Sequence, residues 1–333
     1  MTRKPINVPM MLKKFFGEYL PTLRSCSPNT IGTYAEAFSI FLKYLRAEKK
    51  INPSRIAIKD FSAKNIIDFL NHIEKDRGNS ISTRNARLTA IHSFVKYLLI
   101  EYPNLAGDMQ GVLSVPAKKS KTKILDFLSQ DEMDAIITSP DHTTWAGKRD
   151  SLMFMLMYNT GARVSEIADL RVVDIKIAKS GTVHLFGKGR KERVLPLWKS
   201  LVKMLDDWIK SNRYSAEIPL FPNNRGTKMT RSAIAKRLEN AVISARQKCP
   251  SLKNRKVSPH SIRHSTAMRL LQSGMDITVI AMWLGHENIE TTHIYITADM
   301  KLKEEALHSL QKPNLKHFRY QATDSLLAYL DEL

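Results

Sequence analysis

The ten residues VPAKKSKTKI, 115 to 124, constrain the fold more than any other stretch of the chain. One proline and four lysines leave little that could enter a core, so the segment reads as a linker. The apolar residues on either side must then be buried in two separate cores. A length of 333 residues suits that division, because a single core stops growing at roughly 250–300 residues. The expected layout is a helical domain over 1–115, a basic linker over 116–124, a second domain over 125–320 and a C-terminal helix over 321–333.

Before the linker the apolar spacing is helical. PMMLKKFFGEYL predicts a first amphipathic helix. In SPNTIGTYAEAFSIFLKYLRAEKK, Ser27 is placed to cap and Pro28 to occupy the first helical position, with Tyr34, Phe38, Phe41 and Leu45 along one face. SAKNIIDFLNHIEKDRG after Ser62 and SISTRNARLTAIHSFVKYLLIEY complete a four-helix bundle. Past the linker, Ser129 and Glu132 form a capping box ahead of an apolar run. Then RDSLMFMLMYNTG predicts a helix stopping at Gly161, followed by the short helix RVSEIADL. Three strands are expected in RVVDIKI, GTVHLF and ERVLPL, the last two joined by the glycine-rich turn GKGRK. SLVKMLDDWIKS, TRSAIAKRLENAVISARQK and SPHSIRHSTAMRLLQSG predict further helices. The fold class is mainly α with a small antiparallel β-sheet.

Lys plus Arg number 52 against 32 Asp plus Glu, a formal net charge of +20, while 43% of residues are hydrophobic. Enough apolar surface is present to build cores, so the excess charge decorates a folded surface, where it attracts polyanions and nucleic acid first among them. The two cysteines, Cys26 and Cys249, are too few for a zinc or disulfide framework and fit a reducing compartment. No signal segment and no run of roughly 18 apolar residues is found, so a soluble, cytoplasmic protein with no membrane partner is expected.

Four short motifs hold residues suited to phosphate chemistry. In TGARVSEIADL, Arg163 lies at a break between helices, where its planar fork can grip two phosphate oxygens; a bond to nearby Glu166 is the ordinary role for such an arginine. Lys188, in the hairpin turn FGKGRKER, can donate a proton to a departing oxygen, or can simply be a solvated turn lysine. In HSIRH, His260 and Arg263 are neighbours on one helix face near its positive end, and surface basic residues are the bland reading. LGHENIETTHIYI ends on Tyr295, an aromatic that could equally be packed in an ordinary helix.

In this order and spacing, TGARVSE, GKGRKERVLPL, HSIRH and LGHENIETTHIYI resemble the signature of the tyrosine recombinase (phage integrase) family, including its Xer-type members. The resemblance covers residues 125 to 305 closely and the helical first domain more loosely. It implies a core-DNA-binding domain followed by an α+β catalytic domain, with Arg163, Lys188, His260, Arg263, His286 and Tyr295 as catalytic residues. Tyr295 would attack a phosphodiester to give a 3′-phosphotyrosyl link and a free 5′-hydroxyl. A phenol with a pKa near 10 needs help to do so: His260 would accept its proton, the two arginines would hold the non-bridging oxygens, Lys188 would protonate the leaving oxygen, and His286 would contact phosphate or brace the site. Neither a metal nor another cofactor is expected.

The implied partners are double-stranded DNA recombination sites, further copies forming a homo-tetramer on DNA, and accessory recombinases or proteins. Lys118, Lys119, Lys121 and Lys123 of the linker, with Arg84 and Arg87, are expected to contact DNA phosphates. The helix over 321–333 is expected to dock on a neighbouring subunit or on its own. A first helix starting near residue 8 leaves no room for an extra arm-binding domain. Thr297 stands where Xer proteins usually carry histidine, and TADMKLKEEAL resembles recombinases of mobile elements, so an integrase or transposase of a mobile element is expected ahead of chromosome or plasmid dimer resolution. Less favoured by the motifs are a type IB topoisomerase, which would reseal the same strand, and a DNA-binding protein of this fold that is catalytically silent.

Overall fold

The computed structural model describes residues 6–119, 127–178, 180–187 and 191–286, together with Thr292 and Tyr295. The chain divides into two compact units, residues 1–123 and 124–333, and the described residues are mostly helical with one three-stranded antiparallel sheet.

The first unit is built from α1 (Val8–Lys14), which widens into a π-helical stretch over Phe15–Leu23, then α2 (Pro28–Glu48), α3 (Ala63–Lys75), α4 (Ile81–Glu101) and α5 (Ala106–Leu113). Ser27, Ser62 and Ser80 each cap a helix by accepting from a backbone N–H three residues on. The buried stripe Ile66, Phe69, Leu70, Ile73 on α3 follows the i, i+3, i+4, i+7 spacing. It packs with Phe15, Phe38, Phe41, Phe61 and Phe94 in one aromatic-rich core, and each ring adds roughly 2 kcal/mol over an exposed one. Short α5 was not expected from the sequence. It buries Met109 and Val112, and the Val112 carbonyl is bonded by His92 of α4 at 2.9 Å.

Arg84, expected at DNA phosphates, is covered by the chain's own return. It is 4% exposed, and its Nη1 donates to the Pro116 carbonyl at 3.2 Å and to Asn85 Oδ1 at 3.0 Å. The Asn85 side-chain amide then pairs both ways with the Lys118 backbone, at 2.8 and 3.1 Å. Arg84 thus fastens the start of the linker to α4. Arg87 is largely covered and lies 3.8 Å from Glu36; the Lys118 ammonium is paired with Glu74. Lys119 is exposed. Lys121 and Lys123 lie outside the described residues.

The second unit comprises α6 (Gln130–Thr138), α7 (Trp145–Thr160), α8 (Val164–Asp169), β1 (Ile175–Lys176), β2 (Thr182–Phe186), β3 (Glu192–Pro196), α9 (Lys199–Ser211), α10 (Arg231–Ala245), α11 (Pro259–Gln272) and α12 (Ile277–Leu284). The expected capping box at Ser129 and Glu132 is present, with bonds of 2.9 and 3.2 Å. The sheet runs β1-β2-β3. Val183 and Leu185 point into the core, and Val183 sits opposite Leu195. The strand expected over RVVDIKI shrinks to two residues. The Asp174 carboxylate accepts from the Arg171 backbone N–H at 2.8 Å, which winds Val172–Asp174 into a 3-10 turn. The segment 321–333 lies outside the described residues, of which no helix is long and apolar enough to cross a membrane.

Candidate active site

The site grows from two helix ends. Helix α7 stops at Gly161, which takes φ +61°, a conformation that costs glycine least. Helix α12 stops in the same way at Gly285, φ +65°, with His286 N–H returning to the Ala281 carbonyl. The two ends touch: a Cβ built on Gly161 would lie 2.5 Å from Leu284 Cδ2.

The last carbonyls of a helix have no partner inside it and carry the negative end of its dipole. Three arginines from three elements take three consecutive carbonyls at the end of α12. Arg193 of β3 donates through Nε to Trp283 O at 2.8 Å. Arg263 of α11 donates through Nη2 to Leu284 O at 2.6 Å, and Arg163, at the N-cap of α8, through Nη2 to Gly285 O at 2.9 Å. The other arm of Arg263 reaches the Gly161 carbonyl at 2.6 Å, so this side chain ties both helix ends together.

Glu166 holds the cluster from behind. Its carboxylate is 5% exposed and accepts both arms of Arg193 at 3.0 and 2.7 Å, Arg163 Nη1 at 3.0 Å and the Arg163 backbone N–H at 2.8 Å. Burial pushes the carboxyl up, but the bonds and charge of Arg193, with Arg163, outweigh it and hold the group below its ordinary value. Glu166 is therefore ionised and aims two guanidinium groups. Arg263 is 3% exposed. Burial, then the charge of Arg163, lowers it to about 10, so it stays cationic at neutral pH.

The histidines and the tyrosine lie against this cationic corner. Tyr295 is 2% exposed, in an apolar cluster with Ala267, Met268, Leu271, Ile280 and Leu284 of α11 and α12. Its hydroxyl meets His264 Nδ1 at 2.9 Å, and its ring lies 6.4 Å from the His286 ring at an interplanar angle of 14°. Burial raises the phenol above its ordinary value, with Arg263 opposing. His286 shares a 2.7 Å hydrogen bond with the Thr292 hydroxyl, and burial, then Arg263 and Arg163, lowers it to about 4. His260, with its outer edge exposed, meets the His264 ring edge-on at 5.1 Å. Partial desolvation, Arg263 and Arg163 lower it.

Five of the six expected site residues are thus gathered around the end of α12. Lys188, in the turn between β2 and β3, lies outside the described residues. Arg193 and His264 join them without having stood out in the sequence. His264 carries a signal in hindsight, since it falls four residues after His260 on the same helical face. Arg193 carries none, because its partners are 27 and 90 residues away. Among the described residues no group of three or more His, Cys, Asp or Glu could hold a metal ion.

The phage integrase family matches residues 126–301, and its N-terminal SAM-like domain matches residues 12–102. An integrase/recombinase of Sinorhizobium fredii, y4rC, is 38% identical over 97% of both chains. The tyrosine recombinase XerD of Oceanobacillus iheyensis is 32% identical over 84% of this chain and 91% of its own. The XerH site-specific recombinase, solved on its palindromic difH substrate, shares the fold with a TM-score of 0.66 at 22% identity, over 88% of this chain and 83% of that one. Two helix ends clamped by arginines, a tyrosine beside them and matches spanning both units agree: the chain belongs to the phage integrase family, the tyrosine recombinases.

Proposed function

We propose that this chain is a site-specific DNA recombinase that cuts one strand with Tyr295, and that it serves a mobile element as integrase or transposase. The supporting observation is the convergence of Arg163 and Arg263 beside Tyr295. A phosphodiester gains charge on its non-bridging oxygens as it is attacked, and two guanidinium groups preorganised by Glu166 and the helix carbonyls meet that charge without reorganising. Tyr295 Oη forms the new bond to phosphorus while the bond to the 5′ oxygen breaks. His260 takes the phenol proton, and Lys188 gives one to the 5′ oxygen. The phosphotyrosyl ester retains the energy of the broken bond, so a 5′-hydroxyl from a second duplex can reverse the step and build a Holliday junction. Two duplexes with two cleavable strands each require four protomers, hence a homo-tetramer on its DNA sites in the cytoplasm. Lys119, with Lys121 and Lys123, supplies phosphate contacts next to the first unit.

The test is covalent capture. Mixed with nicked duplexes of randomised sequence, the wild-type chain should form adducts that survive denaturant, and the captured DNA defines its site. Tyr295→Phe should bind that duplex equally well and capture none; a trapped adduct with this variant would overturn the assignment of the nucleophile. Dimer resolution, which the resemblance to Xer-type members also implies, is the second reading, and it is compatible with the XerD tyrosine recombinase among the relatives. With two captured sites on one plasmid and one on another, mobile-element work predicts intermolecular joining, whereas dimer resolution predicts excision alone.

A further inference from the structure

The hydroxyl that must attack is not where an attack can occur. Tyr295 is 2% exposed and its Oη faces His264 Nδ1 at 2.9 Å. A duplex is far too wide to follow a phenol into an apolar cluster, so the tyrosine has to come out to meet a phosphate. Something must set how readily it does. We propose that His264 is a positioning residue that stores the nucleophile, holding the Tyr295 hydroxyl in its buried resting place until DNA draws it out. The inference rests on reading Tyr295 as the nucleophile.

Three observations support storage over activation. The first is packing: the Tyr295 ring sits between the imidazoles of His264, at 5.6 Å and 60°, and His286, at 6.4 Å and nearly parallel. Its hydroxyl is the one polar group it brings into that cluster, and a buried hydroxyl needs a partner. The second is placement. His264 is on α11, one residue beyond Arg263, whose guanidinium is pinned to Gly161 O and Leu284 O; the storing group and the phosphate-binding group are therefore fixed by one helix turn.

The third is acidity. Burial, then the charges of His260 and Arg263, lowers His264 to about 4, while burial lifts the phenol above its ordinary value near 10. Both shifts oppose moving the proton from Tyr295 to His264. In this arrangement His264 is not the base. It keeps the phenol neutral and unreactive, and His260, half in solvent, is left to accept the proton after release.

The experiment compares His264→Phe, which fills the space but removes the hydrogen-bonding nitrogen, with His264→Asn, whose side-chain amide can take its place. The DNA-free chain is labelled with 3-fluorotyrosine at its ten tyrosines, and the Tyr295 resonance is the one missing in Tyr295→Phe. In His264→Phe that resonance should move and gain the H2O/D2O isotope shift of an exposed ring, while in His264→Asn it should stay at the wild-type position. On the captured duplex, His264→Phe should form the covalent adduct about tenfold faster than wild type, the factor of one buried hydrogen bond, and His264→Asn should restore the wild-type rate. An unmoved Tyr295 resonance in His264→Phe overturns the proposal, as does adduct formation slowed in both variants. If the wild-type chain captures no DNA at all, the nucleophile reading fails instead, and the fluorine comparison still decides whether His264 holds the ring.

Discussion

Replacing Gly161 with alanine tests the joint on which the whole site depends. Gly161 has φ +61°, where an alanine costs about 1–2 kcal/mol. The added Cβ would also lie 2.5 Å from Leu284 Cδ2 and 3.3 Å from Thr266 Cγ2. Both neighbours are 0% exposed, so neither can swing into solvent, and forcing them apart costs about 1–3 kcal/mol more. The total, roughly 2–5 kcal/mol, should lower the melting temperature of a unit of some 200 residues by roughly 5–15 °C. Gly274→Ala supplies the control. That residue also has positive φ, +82°, but its Cβ would meet nothing within 4 Å, so only the conformational cost of about 1–2 kcal/mol remains. Scanning calorimetry of both variants isolates the overlap. The same overlap pushes on the two groups that anchor Arg263, the Gly161 and Leu284 carbonyls, and a shift of about 1 Å there should slow covalent capture about a hundredfold. Equal melting temperatures for the two variants, or an unchanged capture rate for Gly161→Ala, would refute the reasoning.

Two further outcomes follow from the charged partners. The Glu166 carboxyl is lowered in the folded chain, so its stabilisation is fully present above its unfolded value of about 4.3 and is lost as pH falls through the lower folded value. Glu166→Gln should accordingly flatten the acid limb of urea-denaturation stability below about pH 4.5, and should slow covalent capture at neutral pH because Arg163 and Arg193 lose their shared anchor; an acid limb as steep as wild type would contradict this. In the first unit, Arg84→Ala should cost about 2–4 kcal/mol through its lost buried bonds while leaving the salt slope of DNA binding unchanged, whereas Lys119→Ala should lower that slope by about one with no effect on melting. The reverse pattern in parallel binding and melting measurements would return Arg84 to the DNA surface.

Much was legible because its signals are local. A serine before a helix, apolar residues at 3.6 spacing and glycine after a last turn act over a few residues, and Ser27, Ser129, the Ile66 to Ile73 stripe and Gly161 behave accordingly. Where a local bond competed with the pattern, the expectation failed: Asp174 bends back to the Arg171 N–H, and an alternating run that looked like a full strand keeps only Ile175–Lys176. The burial of Arg84 was hidden for a different reason. A basic residue on a basic chain reads as surface until the chain returns 32 positions later and covers it.

The amino-acid order by itself determined two helical-rich units, a hairpin, and the types and succession of Arg163, Lys188, His260, Arg263, His286 and Tyr295. Tertiary structure alone decided how these act on one another. That Arg193, Arg263 and Arg163 meet three successive carbonyls, that one buried carboxylate orients two of them, and that Tyr295 rests on His264 are relations between residues up to 122 positions apart. No spacing rule spans such distances. The meeting of the ends of α7 and α12, made possible by a glycine with no Cβ to keep them apart, sets them instead.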